Sequence, residues 1–563
     1  MKRALVLALV SVLAGALAPV SRGDGNRLSI VHVPVQSGAE ARYLVGHFDE
    51  THARPEGSVE LLLWPGDAAE LSAAGFDFEV VVPDVYARDL ALARQPSPKV
   101  ALPGPDRSDY RRLGDYNREL RGLAEKNPSL VRLIKLKEKS LEGRRVLGVE
   151  IASRVRSADG RPVFYVDGVH HAREWPAGEY PILFAHHLVE SYGKDERITS
   201  LLERVRVVIV PIVNVDGFDY SRESVLSADQ TVADQTWFTG AGNGFEGYWR
   251  KNRRSFTGAT APAINKNPDA FGVDPNRNYS FNWGDDQGGS SGDRFTQTYR
   301  GEKPFSEPET RNVRRIILGR NVTGVITNHT SGKLVLRPWG HTRKDPPDES
   351  VLAPLGGRMA EAMGGYTNQK GIGLYITTGT TDDWAYAATA ALGFTFEHED
   401  AFHPPYAESV GKNFQGVLEA FTIMGEASAD PDLHSRVTGR VVGPDGRPVA
   451  AVLRLTKRFK TPLWPDNPTG RKNFVERQRL VLRTGPGGHV VWHLNPSTRP
   501  EVESRGATET YTLRLTGASH TATKRIELDR GERLDLGTIR LTRMRVRKAT
   551  IEEAEAEPVF PPA

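Results

Sequence analysis

The chain has 563 residues, of which 39% are hydrophobic and 26% charged, with a formal net charge of +4 at pH 7 and no cysteine. That length exceeds a single core, so about three or four globular units are expected, and the near-balanced charge gives no reason to invoke a nucleic-acid partner. Without cysteine there are no disulfides, thiolate metal sites or cysteine nucleophiles, which leaves His and carboxylate side chains as the metal donors.

The chain opens with "MKRALVLALVSVLAGALAPVSRGDG", where Lys2 and Arg3 precede an apolar run from Ala4 to Ala18. The run is short for a bilayer span and reads as an export signal over residues 1–23. A secreted mature chain without a transmembrane segment is therefore expected, with an uncleaved anchor as the competing reading. Residues 24–94 alternate apolar runs ("LSIVHVPV", "VELLLWPG", "FDFEVVVPDV") with polar turns, and "DAAELSAAG" reads as a short helix closed by Gly75. This predicts a small α+β unit. The Pro-rich residues 95–107 form a linker.

Residues 108–427 carry a different pattern. "YRRLGDYNRELRGLAEKN" is amphipathic, and "RRVLGVEIA", "VFYVDG" and "VRVVIVPIV" are strand-like and apolar almost throughout, with a helix-like run from Gly178 to Tyr192. Such strands alternating with helices predict an α/β domain whose mixed sheet is flanked by helices. "TGVITNH" and "LGFTFEHE" extend the sheet, and a last helix is expected around Asn413 to Met424. Residues 434–543 are β-rich, with turns such as Gly443-Pro444-Asp445-Gly446, and predict a small β-sandwich. Its basic run "LTKRFKTP" with "GRKNFVERQRLVLR" is open to two readings: a surface for an acidic polymer, or strands that simply face water. Residues 544–563 read as a disordered tail. The expected fold is multidomain: a central α/β domain, a small N-terminal α+β unit and a C-terminal β-sandwich.

The stretch "YVDGVHHAREWPAGEY" sets His171 and Glu174 just beyond an apolar strand, a spacing at which two ligands can converge on one ion. His187 and Glu190 share that spacing but lie mid-helix beside His186, which favours a solvated or partly buried face. His329 ends another apolar strand, "GVITNH", and can meet the first pair at the same sheet edge. Glu397 ends "GFTFE", where a carboxylate is costly unless it is paired or reactive.

In order, "GVHHAREW", "PIVNVDGFDYS", "YWRKNRR", "GVDPNRNY", "PFSEPET", "ITNHTSG", "GTTDDWAY" and "FTFEHE" resemble the zinc metallocarboxypeptidases of the carboxypeptidase A/B type, from Tyr110 to about Gly425. The resemblance implies one zinc ion held by His171, Glu174 and His329, with Asp274 orienting the first histidine. It implies Glu397 as general base and proton shuttle, and Arg250 as the oxyanion-stabilising group. Lys251, Arg253 and Arg254 are expected to be solvated. Asn276 and Arg277 match the clamp for a free C-terminal carboxylate, Tyr375 the mobile tyrosine closing over it, and Arg173 a further groove arginine. The nine-residue distance from Tyr375 to Trp384 equals the family spacing and sets Asp382 at the base of the pocket for the departing side chain. An acid there implies a preference for Arg and Lys, or mixed basic and apolar specificity, whereas Asp383 is expected to be structural.

Two features depart from the family pattern. The segment between Glu174 and Arg250 is long, and Thr330-Ser331 stands where Ser-Tyr is common, which leaves the subsite before the cleaved bond open. The C-terminal unit resembles the transthyretin-like domain of many carboxypeptidases, with no partner implied. The N-terminal unit occupies the place of a propeptide, with Arg94 and Lys99 as candidate processing sites, or else is a permanent domain. The expected function is secreted zinc-dependent hydrolysis of the C-terminal bond of peptides and proteins. The alternatives are a superfamily amidase or peptidoglycan-trimming hydrolase, and an inactive peptide-binding protein.

Overall fold

The computed structural model describes residues 27–54, 57–85, 87–88, 91, 109–157, 159–223, 245–256, 272–285, 288–495, 509–517, 520–529 and 531–543. The expected signal, linker and tail, with Arg94 and Lys99, lie outside the described residues, as do residues 224–244 of the long segment before Arg250. No helix among the described residues is long and apolar enough to cross a membrane.

The N-terminal residues form a four-stranded sheet of β1 (Ser29–Pro34), β2 (Asp49–Arg54), β3 (Ser58–Leu63) and β4 (Glu79–Val82), in the order β2-β3-β1-β4. Antiparallel register sets Val31 opposite Leu61 and Val33 opposite Val59. With Leu44, Val45 and Leu71 these side chains close a small core. The helix read in "DAAELSAAG" spans Asp67–Ala73, and Gly75 takes a positive φ of 87° just beyond it. A further helix, Gly38–His47, was not apparent from the sequence pattern; Ser37 caps it by accepting from the Glu40 N–H.

The central sheet has eight strands: β5 (Val131–Lys139), β6 (Arg145–Ile151), β7 (Val163–Gly168), β8 (Arg206–Val210), β9 (Val322–Thr330), β10 (Leu334–Arg337), β11 (Thr367–Lys370) and β12 (Leu392–His398). The order is β11-β10-β12-β9-β7-β8-β6-β5, with β8, β7, β9 and β12 mutually parallel, β6 antiparallel to β5 and β8, and β10 antiparallel to β12 but parallel to β11. Helices Pro176–Ser191, Pro308–Gly319 and Val410–Ala429 cover it, and Phe164, Val166, Val208, Ile326 and Phe394 are fully buried. Side chains apolar on both faces suit such a covered sheet. The parallel centre brings the C-terminal ends of β7, β9 and β12 to one edge.

The C-terminal strands are β13 (Ser435–Val442), β14 (Val452–Pro462), β15 (Asn473–Arg483), β16 (His489–Leu494), β17 (Glu509–Gly517), β18 (His520–Leu528), β19 (Arg533–Arg540) and β20 (Thr542–Arg543). They form a three-stranded sheet, β16-β13-β19, and a five-stranded one, β15-β14-β17-β18-β20, which share one core. The hairpin β14–β15 outruns that core and enters the central domain. Phe459 joins the central hydrophobic core and Phe474 packs against it. The Trp464 N–H donates to the Trp283 carbonyl at 3.0 Å.

Candidate metal centre and substrate groove

After β7 the chain turns sharply into helix Pro176–Ser191, whose first turn carries a proline, a residue suited to that position. Gly168 permits the turn: a Cβ there would lie 2.2 Å from the Ala177 carbonyl oxygen. The turn holds His171 and Glu174 at the sheet edge, and β9 delivers His329 beside them. The Nδ1 atoms of His171 and His329 are 3.2 Å apart. Glu174 Oε1 lies 2.7 Å from His171 Nδ1, and Oε2 lies 2.9 Å from His329 Nδ1. All three residues are buried, and their donor atoms lie within 4.8 Å of one another. Burial opposes ionisation of Glu174, but the two histidines override it and hold its pKa well below the usual carboxylate range. His187 stays on its helix, half-buried and near Ser191, while His186 meets Glu119.

Asp274 faces the outer side of the cluster. Its Oδ1 lies 3.1 Å from His171 Nε2 and accepts from the Asn276 N–H at 2.8 Å, while Oδ2 accepts from Arg250 Nη2 at 2.9 Å. Burial would raise the Asp274 pKa, yet Arg250 and then His171 depress it well below normal. In return, Asp274 overcomes the desolvation of Arg250 and keeps its guanidinium charged. Glu397 is half-buried on β12, in register with His329 of β9; burial would lower the His329 pKa, but Glu174 and, to a lesser degree, Glu397 raise it.

The basic neighbours of Arg250 are not solvated as the sequence suggested. Lys251 is buried and donates to the Arg294 and Thr296 carbonyls; Arg254 pairs with Glu307; Arg253 lies 3.8 Å over the Tyr220 ring. Nearby carbonyls, the Glu307 carboxylate and the Tyr220 ring of helix Val215–Glu223 replace water for these cations.

Asn276 is tied to Thr381, whose N–H and hydroxyl both donate to its Oδ1 at 3.0 and 3.1 Å. Arg277 is buried; its Nη1 donates to the Asn276 carbonyl, while Nε and Nη2 meet no acceptor among the described residues. Its guanidinium carbon lies 6.0 Å from the Tyr375 ring centre. Asp382, also buried, is pushed up to about 6, by desolvation first and the Asp383 charge second. Asp383 accepts from the Gly340 N–H at 2.9 Å.

Two carboxylates from the flanking units reach this domain, and the sequence pattern flagged neither. Asp49 of β2 takes both terminal nitrogens of Arg173, Nη2 at 2.8 Å, and accepts from Trp64 Nε1 at 2.9 Å. Leu28, Leu62 and Trp64 pack in one apolar cluster with Ala172, Tyr248 and Phe402, and Tyr375 packs against the N-terminal core. From the other side Glu476 of β15, fully buried, accepts from Ser280 Oγ at 2.9 Å, Trp384 Nε1 at 3.2 Å and Arg314 Nε at 2.8 Å. His170 was also overlooked: its Nε2 contacts Tyr279 OH at 2.8 Å and Thr381 Oγ1 at 3.1 Å, behind the metal cluster.

A family profile described as "Zinc carboxypeptidase" matches residues 116–413, more than half of the chain. The chain is similar to carboxypeptidase B of Helicoverpa zea, 30% identical over 336 residues, with 55% of this chain and 69% of that protein covered. It is also similar to mast cell carboxypeptidase A of Rattus norvegicus, 27% identical over 336 residues, with 58% and 71% covered. Among solved structures, carboxypeptidase A from Helicoverpa armigera shares the fold at a TM-score of 0.57 and 24% identity, over 72% of this chain and 98% of that one.

Proposed function

This chain belongs to the zinc carboxypeptidase family and is a peptide hydrolase, and from that premise we propose a secreted exopeptidase that removes C-terminal Arg and Lys from peptides and proteins. The donor set fits zinc: two imidazole nitrogens, one carboxylate, no thiolate, and Asp274 against the outer nitrogen of His171. His171, Glu174 and His329 would hold the zinc, which would supply an activated water and a Lewis acid for the scissile carbonyl. Glu397 serves as general base for the attacking water and returns the proton to the leaving amine. Arg250, kept charged by Asp274, donates to the oxygen on which negative charge develops.

The observation that carries the exopeptidase reading is Arg277. Its buried Nε and Nη2 have no acceptor among the described residues, and a free carboxylate offers two oxygens to such a fork. Asn276 lies beside it and Tyr375 within reach of the same end group. Asp382 is the basis for the basic preference, because an arriving Lys or Arg compensates a buried acid that Leu or Phe leaves unpaired.

The N-terminal unit acts as a removable cover, supported by the Asp49–Arg173 pair and the packing of Tyr375 against its core. The test is a set of peptides differing only at the last residue, each with a free or amidated end. Lys and Arg with a free carboxylate should be cut fastest. Equal cleavage of amidated ends would favour the amidase class, and rapid release of Phe or Leu with Arg ignored would remove Asp382 from the pocket.

A further inference from the structure

The five-stranded sheet of the C-terminal unit has one face on its core and one in water, and the two differ in chemistry. Leu453, Leu455, Leu480, Leu482, Leu513 and Leu515 point inward. The alternate positions turn Arg454, Arg458, Arg477, Arg479, Arg483 and Arg514 outward, all exposed. Register stacks like charges directly: Arg458 faces Arg477 across β14–β15, and Arg454 faces Arg514 across β14–β17. Neighbouring strands lie about 4.8 Å apart, and like charges opposite one another destabilise a sheet. The acid on this face among the described residues is Glu527, which sits 3.8 Å from Arg525 near the far edge. A face built only for solubility would mix the two signs to relieve this repulsion.

We propose that this face binds a linear anionic polysaccharide. Guanidinium groups match sulfate or uronate oxygens in pairs, and an anionic chain lying along the strands neutralises the opposed arginines. Between the cations stand the exposed Thr456 and Thr512, Thr456 opposite Arg479 and Thr512 opposite Arg525, which offer hydroxyls to a hydroxyl-rich polymer. Of the aromatic side chains on these strands, Phe459 and Tyr511 are buried and Phe474 packs against the central core, so the face offers no platform for stacking nucleic-acid bases. Its exposed apolar side chains are Val475 and Val481, too little for insertion into a lipid surface. The hydrolase would then be held on an acidic glycan matrix by a surface separate from its catalytic groove.

The test uses the full chain and immobilised dextran sulfate, with uncharged dextran as the blank. One variant carries Arg454→Thr, Arg458→Thr, Arg477→Thr and Arg479→Thr, which keep strand propensity. A matched control removes four exposed cations elsewhere: Arg121→Thr, Lys126→Thr, Lys135→Thr and Lys137→Thr. Unchanged thermal melting and peptide hydrolysis certify that both are folded. The proposal expects the face variant to bind about tenfold or more weaker, with a shallower dependence on salt, while the control stays within about twofold of wild type. Equal losses in both variants, or no binding by wild type, would overturn it. Tighter retention on duplex DNA or phosphatidylserine vesicles through the same four arginines would also overturn it, in favour of that other partner.

Discussion

The two flanking units each place a carboxylate into the catalytic domain, and the two contacts are built differently. Asp49 grips Arg173, the residue between Ala172 and the candidate ligand Glu174, and around that pair the N-terminal unit packs with its own separate core. Glu476 instead arrives on a hairpin whose Phe459 is part of the central core, and it ties Arg314, Ser280 and Trp384 together behind the groove. A surface grip around an ion pair can be released by cutting the chain. A hairpin sharing a hydrophobic core cannot leave without opening that core. On the proposed function the first unit regulates the enzyme and the second completes it.

Truncation should give the largest effect. Removing residues 434–563 takes Phe459 and Phe474 out of contact with the central core, and losing one buried Phe side chain alone costs about 3–5 kcal/mol, a large part of a typical domain stability. The truncated chain should be insoluble or inactive. A folded, fully active catalytic fragment would erase the distinction between the two units.

Removal of the N-terminal unit should act in the opposite direction. Cleavage within residues 95–107 should raise hydrolysis of a C-terminal Lys substrate, and Asp49→Asn should raise the activity of the uncut chain by leaving buried Arg173 without a counter-charge, a cost of up to about 3–5 kcal/mol to the covered state. Full activity of the uncut wild type would make this unit a permanent accessory. The smaller change Glu476→Gln keeps an acceptor for Trp384 and Ser280 but weakens the link to Arg314, so about 1.5–3 kcal/mol of stability should go. Because Trp384 and Asp382 share the helix Thr381–Thr389, KM for Lys and Arg peptides should rise more than kcat falls. A loss of stability with both constants unchanged would limit Glu476 to a purely structural part.

The subtlest expected effect is in pH dependence. The Asp382 carboxyl, raised to about 6 by burial and by Asp383, is neutral below that pH and charged above it. The ratio of kcat/KM for Lys over Leu substrates should therefore climb as pH rises through about 6 and then level off. Taking the ratio cancels groups that titrate for both substrates. A ratio flat from pH 5 to 8 would detach Asp382 from specificity.

The grouping of His171, Glu174 and His329 was legible because eight ordered motifs resemble one family, with apolar runs such as "GVITNH" marking the strand ends that carry them. The relation between the units was not. Helix Gly38–His47 buries only Leu44 and Val45, so no apolar stripe marked it or the strand carrying Asp49. Glu476 stands at an inward position of "NFVERQRLVLR", as strict alternation requires, yet its partner Arg314 lies 162 residues away. Separations of 43 to 53 residues hid the partners of Lys251 and Arg254 in the same way. Alternation indicates which side chains turn inward, and only the folded chain supplies what they meet.

Zinc dependence bears most directly on the central claim. Protein stripped by a chelator should lose hydrolysis of a C-terminal Lys peptide and regain it on addition of one equivalent of zinc. His171→Ala should bind no zinc and stay inactive while keeping the wild-type circular dichroism, and His187→Ala should retain both metal and activity. A His171→Ala protein that still held stoichiometric zinc and cut the peptide would contradict the assignment of the metal centre.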